Sequence, residues 1–276
     1  MTNVVSIGKP SLLAHPRDVT GTHVNQCNAT HAQSCFVRHV RRMQIFHHPF
    51  TAILSAPSCS GKSTLAYNII KHSDSLVSVP FDVVLVLFRT WQPLYDQMRR
   101  ELPIPVHFFE HAFPGPLKDL VAGFQAPVIL IDDGLCPANR RDVEDLFTRE
   151  SHHLGTSVIL LTQSLFDAKQ PTLRLCHRNT KILIVFGCPR DQGSLRTLVF
   201  QMHPDKRKAN LLLSTMEDIL KEPYRYIMMD FQPTCPAIQR YKTDILSEHP
   251  TVFTFPAETK PPLDLHGNPQ SFMRCH

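Results

Sequence analysis

The stretch Ala56-Pro57-Ser58-Cys59-Ser60-Gly61-Lys62-Ser63-Thr64 follows the apolar run 50–55 and precedes the helix-like Leu65-Ala66-Tyr67-Asn68-Ile69-Ile70. A strand that breaks into small residues and then enters a helix aims successive backbone N–H groups at a polyphosphate, and the helix N-terminus adds positive potential. In this reading all nine residues cradle the nucleotide, Lys62 reaches the β- and γ-phosphates, and Ser63 holds Mg²⁺. Gly61, Lys62 and Ser63 match the end of the G-x-x-x-x-G-K-S/T pattern. Ala56 departs from it at the first position, which is tolerable only if the backbone there needs no positive φ. Cys59 sits at an interior position often held by glycine, where a thiol among phosphate-binding amides is expected to be oxidation-sensitive; the alternative is a small space-filler.

A second signal is Pro127-Val128-Ile129-Leu130-Ile131-Asp132-Asp133-Gly134, an apolar run that ends in two carboxylates. Carboxylates at the C-terminal end of a buried parallel strand face the crevice where open α/β sheets bind ligands. Asp132 is placed to organise Mg²⁺, and Asp133 to orient or deprotonate an attacking water; a strand-ending turn would use the same residues. The third signal is Val158-Ile159-Leu160-Leu161-Thr162-Gln163. If its strand lies between those carrying the loop and the carboxylates, Gln163 stands beside the γ-phosphate and can position the water.

These groups need a rigid frame, and the sequence supplies its pattern. From residue 45 onward, short β-branched runs alternate with helix-like segments, which predicts an α/β domain with a mainly parallel sheet covered on both faces. Strands are expected at 50–55, 81–88, 105–109, 128–132, 157–162, 181–187 and 226–231. Helices are expected at 62–72, 94–102, 116–124, 139–153, 193–202 and 205–221, with Asp191 capping the fifth. Residues 1–44 show no sustained period and read as a basic, flexible arm. Residues 45–247 form the globular domain, and the proline-rich 248–276 an extended tail.

The 276-residue chain carries a formal net charge of +5. Lys9, Arg17, Arg38, Arg41 and Arg42 precede Phe50 against Asp18 alone, so the arm suits either nucleic acid or simple solubility. Its His23, Cys27, His31 and Cys35 recur every fourth residue. Four such ligands could take zinc, although the spacing fits no common finger and one helical face wraps an ion poorly. No apolar run approaches the roughly 20 residues needed to span a bilayer. Eight scattered cysteines and a start without signal-peptide character predict an intracellular protein with free thiols.

The phosphate loop, Leu130-Ile131-Asp132-Asp133-Gly134, Leu146-Phe147-Thr148-Arg149-Glu150-Ser151-His152-His153 and Leu161-Thr162-Gln163-Ser164-Leu165-Phe166 together resemble the genome-packaging ATPases of the poxvirus and Polinton type, within the FtsK–HerA group of P-loop motors. Arg178-Asn179, Pro189-Arg190-Asp191 and Gln201-Met202-His203-Pro204 extend the resemblance, which covers roughly residues 46–231. It implies a RecA-like P-loop NTPase domain in which the Gln163 strand separates the loop strand from the Asp132 strand. It also implies ATP and Mg²⁺ as cofactors, a homo-oligomeric ring, sequence-nonspecific double-stranded DNA and the viral capsid vertex as partners, and a virus-encoded protein acting at an assembly site in the host nucleus or cytoplasm, or in the virion. In such rings an arginine of one subunit reaches the γ-phosphate held by the next; Arg149 is the first candidate for that role, with Arg178 and Arg190 behind it. Two other classes stay open: an ATP-binding scaffold or DNA-binding protein with little hydrolysis, and a P-loop kinase, to which the Asp133 and Gln163 pairing is less suited.

Overall fold

The computed structural model describes residues 36–39, 44–132, 135, 139–167 and 169–255. Ten strands make one sheet: β1 (Phe36–His39), β2 (Thr51–Ser55), β3 (Val83–Phe88), β4 (Val106–Glu110), β5 (Pro127–Asp132), β6 (Ser157–Thr162), β7 (Ile182–Phe186), β8 (Tyr226–Asp230), β9 (Tyr241–Thr243) and β10 (Thr251–Thr254). Their spatial order is β1-β10-β9-β8-β7-β2-β6-β5-β3-β4. The helices are α1 (Lys62–Lys71), α2 (Ser73–Leu76), α3 (Pro93–Glu101), α4 (Leu117–Leu120), α5 (Arg140–Asp145), α6 (Ser151–His153), α7 (Pro171–Asn179), α8 (Gln192–Met202) and α9 (Lys206–Leu220), with a π-helical stretch Leu146–Glu150 joining α5 to α6.

The six strands from β7 to β4 are parallel, as their nearly uninterrupted apolar sequences require, because a strand buried on both faces has no polar side to show. Alternation then divides each strand between two cores. Ala52, Leu54, Val84, Val86, Val128, Leu130, Ile159 and Leu161 pack with α1 and α3 on one face. Ile53, Leu85, Leu87, Ile129, Ile131, Val158 and Leu160 pack with α5, α7, α8 and α9 on the other. The fold is therefore α/β, with helices on both faces of a sheet that is parallel through its centre.

Beyond β7 the sheet turns antiparallel through β8, β9, β10 and β1. Two of these strands lie in segments whose sequence reads as an arm and a tail: Phe36 pairs with Thr254 and His39 with Thr251. Boundaries at residues 44 and 248 thus fall on one side of each of two mutually paired strands. Such four-residue strands carry no period of their own, and their stability comes from the neighbour they pair with. Residues 1–35, 40–43 and 256–276, including His23, Cys27, His31 and Cys35, lie outside the described residues. Among the described residues, no helix is long and apolar enough to cross a membrane, and no cluster of His, Cys, Asp and Glu could hold a metal ion.

Most expected helices form near their predicted positions, and the Asp191 side chain caps α8 by accepting from the Ser194 amide at 3.1 Å. The helix expected over 116–124 contracts to Leu117–Leu120, and the chain reaches Gly123 in the left-handed region at φ 88°. Helix α7 was not foreseen: it opens on Pro171 and carries mostly polar residues, so its start signal is the proline at its first turn.

Candidate functional site

Strand β2 is buried along its whole length and hands the chain to the loop at Ala56. The Ala56 amide donates to the Thr162 carbonyl at 3.0 Å, which ties the start of the loop to the end of β6. Ala56 is buried and is not among the described residues with positive φ, so its methyl replaces glycine without backbone strain. The left-handed positions are instead Cys59, at φ 62°, and Gly61, at φ 88°. The Ser60 hydroxyl donates to the Pro57 carbonyl across the loop. Helix α1 begins immediately afterwards with the Leu65 amide donating to the Gly61 carbonyl at 2.9 Å. Its first turn carries no acidic residue and no side chain caps it. The N-terminal amides therefore keep their donors for an anion, with Lys62 buried beside them.

The same alternation that puts Val128 and Leu130 on the α1 face puts Asp132 there. Its carboxylate, 2% exposed, receives three donors on Oδ2: the Tyr95 hydroxyl at 2.9 Å, the Ser63 hydroxyl at 3.2 Å and the Gln92 amide at 3.3 Å. A buried carboxylate requires such partners. Ser63 and Asp132 also form an oxygen pair of the kind Mg²⁺ prefers, with the remaining places left to water and phosphate, so the residues present fit the ion expected from the sequence.

Tyr95 and Gln92 were not foreseen. They follow β3, whose C-terminal end adjoins that of β5, and the rule that ligands bind at the carboxyl ends of parallel strands could have pointed to them. Tyr95 is fully buried and belongs to an aromatic cluster with Phe88, Trp91 and Phe108. The Arg99 guanidinium lies over Trp91 and Phe108 at 5.2 and 5.1 Å. The donors to Asp132 are thus mounted on a packed support.

Strand β6 lies between β2 and β5, as the resemblance implied, and the register sets Thr162 opposite Ser55. Gln163, the next residue, is exposed and lines a cleft of about 370 Å³ together with Ala56 and Pro57. Gly187, Asp191, Glu217 and Lys221 form its far side. This cleft adjoins the start of the loop, and Ser63 and Asp132 are not among its lining residues. Arg149 lies in the π-helical stretch, 64% exposed in its side chain and paired with Asp145 at 3.2 Å on the same helical run. It shares neither the cleft nor the Ser63–Asp132 pair. Arg178 and Arg190 are exposed as well. Asp133 lies outside the described residues.

Loop, carboxylate and strand order together decide the architecture. The fold is that of an α/β P-loop NTPase. No family model matches the chain, and no curated protein matches it. Among solved structures, the assembled ATPase EscN of the type III secretion system of enteropathogenic E. coli is 12% identical, with 56% of this chain and 47% of that chain covered at a TM-score of 0.35. Thermomonospora curvata EccC (ATPases 2 and 3), in complex with a signal sequence peptide, is 10% identical, with 76% and 37% covered at a TM-score of 0.41. The chain spans less than half the length of either protein. Likenesses this distant add nothing to the site, which stands on its own geometry.

Proposed function

We propose that the chain is an Mg²⁺-dependent ATPase that drives double-stranded DNA into a viral capsid. The observation that supports hydrolysis is the Ser63–Asp132 hydrogen bond at the mouth of an uncapped phosphate helix; the DNA-packaging part rests on the motifs quoted above. Bound Mg²⁺ would supply charge neutralisation between the β- and γ-phosphates. Lys62 holds those phosphates, Ser63 and Asp132 hold the metal, Asp133 takes the proton of the attacking water, and Gln163 orients that water. Gln163 begins the loop beyond β6, so a change at the γ-phosphate is passed to the cleft-lining residues on the far face. In a homo-oligomeric ring Arg149 of a neighbouring subunit would leave Asp145 and stabilise the charge of the transition state. DNA is gripped through its phosphates without base reading.

A phosphate-release assay tests this reading. ATP turnover should require Mg²⁺ and rise when linear double-stranded DNA is added. Asp133→Asn should retain ATP binding while losing turnover. Turnover indifferent to DNA would refute the translocase reading, and phosphate transfer to an added alcohol in place of water would favour a kinase.

A further inference from the structure

Tyr224 is the most exposed large side chain among the described apolar and aromatic residues, at 71%. It also adopts φ 62°, a left-handed conformation that costs a residue with a Cβ roughly 1–2 kcal/mol and that turns ordinarily assign to glycine, asparagine or aspartate. The turn that carries it is held firmly. Arg225 pairs with Glu222 at 2.9 Å and with Asp244. The next residue, Tyr226, is buried in β8 opposite Phe186, and its hydroxyl accepts from the Ile245 amide at 3.0 Å. An aromatic ring that gains little from burial is thus displayed in a strained conformation on a clamped support.

Its position gives the display a purpose. A Cβ added at Gly61 would meet the Tyr224 Cδ1 at 3.5 Å, so the ring edge lies against the one glycine of the phosphate loop, at the start of α1. A nucleotide whose β-phosphate sits on the amides at Gly61 and Lys62 extends its sugar and base outward past this helix terminus. We propose that Tyr224 is the platform on which the base of the bound nucleotide stacks. This rests on the reading of residues 56–64 as the nucleotide loop, and it adds the recognition of the base, to which none of the loop residues is suited. Stacking of this kind is strongest for a purine and tolerant of its edge groups, because every base offers a π face.

The test compares Mg²⁺-ATP with Mg²⁺-tripolyphosphate, which has the phosphates and no base, by isothermal titration of the full chain. Tyr224→Ala should weaken ATP binding about 5- to 150-fold, the range found for loss of one base–aromatic stack. It should leave tripolyphosphate binding unchanged, and Tyr224→Phe should bind both ligands as the parent does. Unchanged ATP affinity in Tyr224→Ala would overturn the proposal. Equal weakening of both ligands would also overturn it, since the ring would then serve only to support Gly61. A parent chain that binds neither ligand would overturn the reading of the loop itself, a result distinct from either of these.

Discussion

Replacing Tyr95 with phenylalanine removes one hydroxyl from a fully buried ring and leaves the aromatic cluster its shape. That hydroxyl donates at 2.9 Å to the Asp132 carboxylate, and a hydrogen bond to a charged group contributes about 1.5–3 kcal/mol. For a domain of this size each kcal/mol moves the melting temperature by about 2–4 °C, so Tyr95→Phe should melt about 3–12 °C below the parent. The loss has a second consequence at the metal. Tyr95 and Gln92 orient the carboxylate that accompanies Ser63, and removing such an outer partner typically weakens metal binding or activity about 10- to 100-fold. Thermal melts followed by titration of Mg²⁺ against ATP turnover measure both effects. Combining Tyr95→Phe with Asp132→Ala should give less than the sum of the two single losses, because each removes the same bond. An unchanged melting temperature together with an unchanged Mg²⁺ requirement would show that the hydroxyl does not hold the carboxylate.

Three further outcomes follow from other parts of the fold. Gly187→Ala would put a Cβ 2.5 Å from the Leu220 carbonyl oxygen, a clash with backbone that should cost about 1–3 kcal/mol and lower the urea midpoint without changing the slope. Burial depresses the His177 pKa to about 4 from 6.5, so between those values the unfolded chain binds the proton that the folded chain refuses. Stability should therefore fall as pH drops from 7, by about 2 kcal/mol at pH 5 from this residue, with His48 and His203 shifted in the same direction by burial; urea melts at the two pH values check it, and His177→Gln should flatten the profile. Iodoacetamide should label exposed Cys59 well before Cys176, which is buried with its thiol pushed up to about 12, and mass spectrometry alongside ATP titration should show affinity falling as Cys59 is modified. Full labelling with unchanged affinity would remove that thiol from the site, whereas Cys59→Gly should be tolerated because glycine adopts φ 62° freely.

The central sheet was legible because its strands are self-sufficient signals. The runs 50–55, 128–132 and 157–162 are apolar on both faces, and each ends abruptly in the group that matters. What escaped depends on partners remote in sequence. Strands β1, β9 and β10 are three or four residues long and exist through mutual pairing. Tyr95 and Gln92 look like ordinary members of an amphipathic helix start, and only the adjacency of β3 and β5 makes them donors to Asp132. Tyr224 is invisible in the same way, since nothing local reveals that the turn before β8 returns to Gly61. The loop itself divided differently from its motif. The missing glycine at position 56 cost nothing, and the strained position is the one occupied by Cys59.

The most direct measurement is ATP turnover by the parent chain and by Lys62→Ala, in Mg²⁺ and in EDTA. Lys62 is the buried cation at the mouth of α1, so the parent should release phosphate only with Mg²⁺ present, and Lys62→Ala should release none while remaining folded. Turnover by Lys62→Ala at the parent's rate, or by the parent in EDTA, would contradict a phosphate loop acting with the Ser63–Asp132 pair.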